Sequence, residues 1–279
     1  MSSKILIWLD GSPTTTLPLP DRGLGFGDGL FETFLLSRGR TLFTDLHFDR
    51  LRQGLAVLGM PDCVLEARRH LESAAIAISQ EGWTWGVLRM TITRGAGPRG
   101  YAPPENPSIR ILLEGSQIDR DCLQMSSAAN VSVAPIRLAT QPMLARIKHL
   151  NRLEQVLAAS FAHAEGADEC VVLDQSGHVI SVIAGNIFVV SQNKILTPRL
   201  VDCGVEGTRR RIIIEKWAPS IGLDVSEAEL TLTDLDNADE IFYSNSLLAV
   251  RPVATLGKNS WNRYEVCSAL FQQFLEEVV

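Results

Sequence analysis

The chain has 279 residues, of which 46% are hydrophobic and 21% charged, with a net charge of −6; this is the composition of a globular protein that buries a sizeable core. Its length exceeds the common single-domain size, so two domains are expected. The mild, dispersed charge argues against a nucleic-acid or anionic-membrane surface, and no segment approaches the run of about 18 apolar residues that a membrane helix needs.

Met1-Ser2-Ser3-Lys4 leads into a strand rather than a signal-peptide core, so a cytosolic location is expected. Cys63, Cys122, Cys170, Cys203 and Cys267 are scattered and odd in number, which fits reduced thiols rather than a disulfide framework. The histidines are equally dispersed, and no His/Cys/carboxylate cluster has metal-ligand spacing, so no metal is expected.

Residues 4–9 read as an apolar strand closed by the turn pair Asp10-Gly11. Four glycines then fall within seven residues, from Gly23 to Gly29, ahead of the apolar run Leu30–Leu36. Such a run makes a tight turn and lets backbone approach a neighbour closely. It lacks the Gly-Lys-Ser/Thr ending of a phosphate loop, and no helix is expected next to it. Between Thr44 and Leu58 the apolar spacing is helical and sets His47, Arg50 and Gly54 on a neighbouring face. Arg50 there is either an anion ligand or a solvated surface charge. A second helix is expected over 64–79, then strands over 85–93 and 108–113. The connection Arg94-Gly95-Ala96-Gly97-Pro98-Arg99-Gly100-Tyr101 presents two arginines and a tyrosine among turn formers, suited to an acidic ligand or simply to solubility.

The polar stretch that follows marks the domain boundary: an N-terminal domain over 1–114, a linker over 115–123 and a second domain over 124–279. Short strands are expected at 131–135, 169–173, 178–182, 186–190 and 194–197, and a buried one at 239–243. Gly204 and Gly207 free the backbone just before an arginine-rich helix over 206–217, and a glycine-rich turn at a helix N-terminus is a ready anion site. Ser244-Asn245-Ser246 reads as a polar turn or a second anion contact. A C-terminal helix spans about 260–277.

The chain has only five lysines, and Lys4, Lys194, Lys216 and Lys258 sit in polar surroundings. Lys148 instead precedes a helical repeat, Leu150, Leu153, Val156, Leu157 and Phe161, with Asn151 as expected N-cap and Glu154 as capping-box partner. A lysine where a loop enters a buried helix loses basicity, and its neutral amine is a Schiff-base nucleophile and proton carrier. The alternative is a lysine that snorkels from a helix end.

The order of these motifs resembles the class IV aminotransferase family of pyridoxal-phosphate enzymes, which includes branched-chain and D-amino-acid transaminases and lyases that release pyruvate. The resemblance rests on Gly27-Asp28-Gly29-Leu30-Phe31-Glu32, His47-Phe48-Asp49-Arg50-Leu51, Arg94–Tyr101, Ile147–Gln155, Gly185-Asn186-Ile187-Phe188, Gly204–Gly207 and Asn245-Ser246, and covers nearly the whole chain. It implies a two-domain α/β (α+β) fold with the cofactor, pyridoxal 5'-phosphate, between the domains, and a homodimer. It implies that Lys148 holds the cofactor as an imine. The phosphate would lie near Gly207, Thr208 and Arg209, with Arg50, Asn245 and Ser246 around it. Arg94, Arg99 and Tyr101 would meet the substrate. The lyase branch of the family implies 4-amino-4-deoxychorismate as that substrate, with 4-aminobenzoate for folate synthesis and pyruvate as products. The alternatives are a D-amino-acid or branched-chain aminotransferase and a non-catalytic paralogue.

One departure stands out. The family carries a glutamate five residues before the asparagine of Gly185-Asn186-Ile187-Phe188, paired with the cofactor's protonated pyridine nitrogen; this chain has Ser181. A hydroxyl donates a hydrogen bond to the neutral nitrogen but does not hold the proton by charge. The ring is then a weaker electron sink, so Ser181 is expected either to bias the chemistry towards elimination and away from transamination or to impair it.

Overall fold

The computed structural model describes residues 4–278, so Met1–Ser3, expected to lead into the first strand, lie outside the described residues. The chain divides into two compact units: residues up to Cys122 together with Ile147–Asn151, and Leu123–Arg146 together with the chain from Arg152 onward. Both mix strands and helices. Among the described residues no helix is long and apolar enough to cross a membrane, and no group of His, Cys, Asp and Glu could hold a metal ion. All five cysteines are free and buried, and burial pushes the thiols of Cys63 and Cys203 up to about 11, where they stay protonated.

The first unit contains β1 (Ile5–Leu9), β2 (Ser12–Pro13), α1 (Arg22–Phe26), β3 (Gly29–Ser37), β4 (Arg40–Thr41), α2 (Thr44–Val57), α3 (Val64–Ser79), β5 (Trp85–Thr93) and β6 (Arg110–Gln117). Its sheet runs β2-β1-β6-β5-β3-β4, with every pair antiparallel. Strand β5 shows why one face is covered: Leu88, Met90 and Ile92 are buried while Val87, Arg89 and Thr91 between them are not. That alternation is the period of a strand with one face on a core. The core is completed by Phe48, Leu51 and Leu55 of α2 and Ala67, Leu71, Ala74 and Ile78 of α3, each large side chain contributing about 1.5–3 kcal/mol on burial.

The glycine run holds a helical turn that the sequence reading did not expect. Asp21 caps α1 by accepting from the Leu24 N–H at 3.1 Å, and Gly27 ends it at φ 66°, a left-handed conformation that suits glycine. Close approach does occur: a Cβ on Gly27 would lie 2.5 Å from Asn151 Oδ1, and one on Gly29 would lie 2.2 Å from the Ile92 carbonyl oxygen.

The second unit contains β7 (Ala129–Leu138), α4 (Leu153–Glu165), β8 (Glu169–Asp174), β9 (Val179–Val182), β10 (Asn186–Ser191), β11 (Lys194–Pro198), α5 (Thr208–Ile212), a π-helical turn (Ile213–Trp217), α6 (Ala218–Ser220), β12 (Val225–Ala228), α7 (Leu232–Asp236), β13 (Glu240–Asn245), β14 (Ala249–Leu256), β15 (Asn259–Ser260) and α8 (Glu265–Val278). Its sheet runs β12-β11-β10-β13-β14-β7-β8-β9, with β15 on β14. One apolar cluster gathers Val171, Leu173, Val179, Ile187, Ile241 and Val253. A second, on the α4 side, gathers Ala134, Ala158, Cys170, Val172, Ile180 and Leu200.

Three differences from the sequence reading have physical causes. β14 was not expected, because Pro252 interrupts it and proline is rare inside a sheet; the strand changes partners there, antiparallel to β13 up to Pro252 and parallel to β7 from Val253. The arginine-rich helix switches to π geometry immediately before Pro219, which has no N–H to give the preceding turn. The C-terminal helix starts at Glu265 because Asn259 and Ser260 pair with β14 and the Glu240 carboxylate accepts the N–H groups of Val266 and Cys267.

Candidate functional site

Lys148 belongs to the first unit, where Ile147–Asn151 runs against the start of β3. The Phe31 N–H donates to the Lys148 carbonyl at 3.0 Å and the Leu150 N–H to the Gly29 carbonyl at 3.0 Å, forming an isolated antiparallel bridge between Leu30 and His149. Main chain on both sides of the lysine is therefore fixed. The side chain is half-buried, with Nζ 3.7 Å from the centroid of the Phe31 ring.

The expected capping box is absent. Helix α4 begins after Arg152, which makes no side-chain cap bond. Asn151 instead donates through Nδ2 to the Gly27 carbonyl at 3.2 Å, and Glu154 accepts from the Ala139 N–H at 2.7 Å. Nor is α4 buried along the predicted stripe: Leu153, Val156 and Leu157 are exposed, and small Ala158 and Ala162 face the core. Alanines let the helix lie close to β7 and β8, which turns the larger residues outward.

Arg50 is buried on α2 beside Glu32 of β3. Its Nε donates to Glu32 Oε1 at 2.8 Å and its Nη2 to Oε2 at 2.5 Å, while His47 Nδ1 lies 2.7 Å from Oε2. Burial alone would raise the Glu32 carboxyl, but the Arg50 charge and the hydrogen bonds from His47 and Arg50 outweigh it and bring the pKa to about 2. Such a two-pronged arginine–carboxylate pair fixes the guanidinium plane. Sequence reasoning set His47 and Arg50 on one face of α2 and left Arg50 as an anion ligand or a solvated charge; it is buried, not solvated, and the partner it shares with His47, Glu32, was not foreseen. The available signal was Glu32, a lone carboxylate in an otherwise apolar strand.

The arginine loop is built in the same way. Asp28 accepts from Arg22 Nε at 2.8 Å and from Arg94 Nε at 2.9 Å, and these pairs, working against burial, hold its carboxyl below the usual range. Arg94 also donates to the carbonyls of Leu58 and Gly59, and Arg22 to those of Gly100, Tyr101 and Ala102. Arg94 thus supports the loop with its guanidinium bonded to protein groups. Arg99 is exposed, and Tyr101, 85% exposed, has its ring 5.4 Å from that of Phe26.

In the second unit, the turn Gly204–Gly207 is held from below by Asn186, whose Nδ2 donates to the Val205 carbonyl at 2.9 Å. Gly204 has φ 90° and packs on Leu200 and Ile180. Gly207 is the N-cap of α5 and no side chain caps the helix. A Cβ on Gly207 would lie 2.0 Å from Asn186 Oδ1, so only glycine fits. The N–H groups of the first turn, around Thr208 and Arg209, point outward from a helix start with a positive partial charge. Arg209, fully buried, donates through Nη2 to the Ser246 carbonyl at 3.2 Å and joins this turn to the Ser244–Ser246 turn.

Asn245 shapes that second turn: its Oδ1 accepts from the Leu247 and Leu248 N–H groups, and its Nδ2 donates to the Ala184 carbonyl. Ser244 lies opposite Asn186 across β13 and β10, so both side chains emerge on one face. Its buried hydroxyl has no hydrogen-bond partner, an acceptor and donor left over beside the glycine turn. Those features fit a phosphate group. Ser181 is half-buried on β9 opposite Val172, beside the bulge at Ile180, on the side of the sheet where Ile180 contacts Gly204.

The family model for class IV amino-transferases matches residues 29–256. An aminodeoxychorismate lyase from Vibrio harveyi is 34% identical over 258 residues, covering 89% of this chain and 90% of that protein. A D-alanine aminotransferase from Listeria monocytogenes serotype 4b (strain F2365) is 29% identical over 274 residues, covering 95% and 91%. The crystal structure of 4-amino-4-deoxychorismate lyase from Pseudomonas aeruginosa superposes with a TM-score of 0.89 at 35% identity, covering 98% of this chain and 99% of that one.

Proposed function

Because the chain belongs to the class IV aminotransferase family, we propose that it is a pyridoxal-phosphate-dependent aminodeoxychorismate lyase that converts 4-amino-4-deoxychorismate to 4-aminobenzoate and pyruvate. The observation that carries this reading is a likeness to two such lyases that spans nearly the whole chain at 34% and 35% identity.

Bound pyridoxal phosphate supplies an aldehyde that joins an amine and a conjugated ring that draws electrons from the neighbouring carbon. Lys148 would hold it through Nζ. The Gly207–Arg209 turn, with Asn245, Ser246 and Arg50, would hold its phosphate, and Ser181 would donate a hydrogen bond to its ring nitrogen. Lys148 Nζ, as a free amine, would take the proton from the amine-bearing carbon of the substrate. The electrons of that C–H bond would form the third double bond of the aromatic ring as the neighbouring ring carbon–oxygen bond breaks; enolpyruvate would leave with the oxygen and its bonding electrons and take up a proton at its methylene carbon to become pyruvate. Arg99 and Tyr101 would receive the substrate's carboxylates, presented by a loop that Arg22 and Arg94 hold in place.

A second reading, an aminotransferase acting on D-amino or branched-chain acids, draws on the likeness to the D-alanine aminotransferase; Ser181 disfavours it, since transamination depends most on a protonated ring nitrogen. Purified protein supplied with pyridoxal phosphate and 4-amino-4-deoxychorismate should release 4-aminobenzoate and pyruvate in equal amounts. Exchange of amino groups between D-alanine or leucine and a keto acid, without 4-aminobenzoate, would favour the second reading. Absence of any visible cofactor band would point to a non-catalytic paralogue.

The protein is further proposed to be a cytosolic homodimer. Leu153, Val156 and Leu157 form an exposed apolar stripe on α4, and light scattering should give twice the chain mass.

A further inference from the structure

Phe31 touches Lys148 twice. Its N–H donates to the lysine's carbonyl, and its ring face lies 3.7 Å from Nζ. The guanidinium carbon of Arg89 sits 4.4 Å from the centroid of the same ring. The ring is buried, so its rotation is restricted, and the pleat turns it away from Glu32, which bonds to α2.

On β5 there is Arg89, and on β6 Glu114, whose carboxylate lies 3.9 Å from Arg89 Nε. His149 adjoins Lys148 in the chain. Glu32 with His47 and Arg50 occupies the opposite, helix-facing side of β3. Arg89 carries the same sign as the lysine and disfavours its charged form, but it is half exposed and paired to Glu114, so its effect is screened. The negative face of the ring acts at short range and favours the ammonium.

We propose that Phe31 is a positioning residue for Lys148: its ring seats the ammonium, holds Nζ in place while it carries a proton, and sets the pH at which the amine becomes available to form a bond. The inference rests on the reading of Lys148 as the cofactor-bearing lysine. Without the seat the amine loses its proton more readily and its position spreads over several rotamers.

The test measures the amine directly in the full-length chain, after any cofactor has been removed with excess cysteine. Competitive labelling with acetic anhydride across a pH series, read by mass spectrometry of the Lys148 peptide, gives the titration midpoint of that one amine. Phe31→Leu should lower the midpoint by about one pH unit, and Phe31→Trp should restore it. Phenylalanines carrying one, two and three fluorines at position 31 keep the shape but weaken the ring's negative face, and should lower the midpoint stepwise even if the leucine variant fails to fold. Equal midpoints across the fluorinated series would overturn the proposal. Pyridoxal phosphate binding, followed separately by visible absorption, tests the functional reading, so failure of one is told apart from failure of the other.

Discussion

In the first unit, the groups proposed to meet cofactor and substrate are fixed by buried charge. Arg50 is locked to Glu32 and His47, and the arginine loop hangs on Asp28 shared between Arg22 and Arg94. In the second unit, the turn proposed to hold the phosphate is shaped by backbone: Gly207 starts α5 with no side-chain cap and lies too close to Asn186 for any side chain of its own. The contrast teaches where each unit is fragile. Removing one member of a buried ion pair strands its partner, whereas a backbone site fails when a side chain appears where none fits.

The sharpest way to break the first half of this contrast is Glu32→Gln. It leaves Arg50 buried without its counter-charge and should cost about 3–5 kcal/mol in urea denaturation. The pH dependence carries a sign. Because the folded carboxyl titrates near 2 and its ordinary value is 4.5, the stability it adds is complete above 4.5 and is lost as pH falls towards 2. The variant should lack that acid limb. Wild-type stability that stays flat from pH 5 to 2.5 would contradict the charge-based account.

The second half is tested by Gly207→Ala. The added methyl meets Asn186 Oδ1 and should cost about 1–3 kcal/mol, displacing the turn and weakening pyridoxal phosphate more than phosphate-free pyridoxal. Asn186→Ala in the same chain should recover part of the loss. Equal weakening of both ligands would show that the turn does not hold the phosphate.

Ser181→Glu sharpens the comparison at the level of chemistry. Restoring the carboxylate should raise aminotransferase side activity by about tenfold, a change of roughly 1.4 kcal/mol. No rise, with the cofactor bound normally, would remove Ser181 from the account of specificity.

The smallest effect belongs to Asn151→Ala. Losing the bond to the Gly27 carbonyl should cost about 1 kcal/mol and loosen the Lys148 segment, with faster amide exchange at Leu150. Exchange confined to the first turn of α4 would instead restore the capping role read from the sequence.

Much of this was legible in the residues. Helices α2 and α3 follow from apolar periodicity alone, and Lys148 stood out because the other four lysines sit in polar turns or on solvated faces. The glycine turn proposed to hold the phosphate was visible through Gly204 and Gly207 ahead of a helix. What stayed hidden depended on partners far away in the chain. Asn151 looked like an N-cap because the spacing to Glu154 is right, yet each side chain found a different backbone partner, Gly27 and Ala139. Leu153, Val156 and Leu157 have the period of a core face, but period does not say which face is covered. Strand β14 was masked by Pro252, and the burial of Arg94 could not be read without knowing that Asp28 lies beside it.

The central claim, that Lys148 is the amine to which the cofactor attaches, has a direct measurement. The protein is incubated with pyridoxal phosphate, reduced with borohydride, digested and mapped by mass spectrometry. The account predicts a stable adduct on the Lys148 peptide alone, abolished by Lys148→Ala. An adduct spread over Lys4, Lys194, Lys216 and Lys258, or undiminished in the variant, would contradict it.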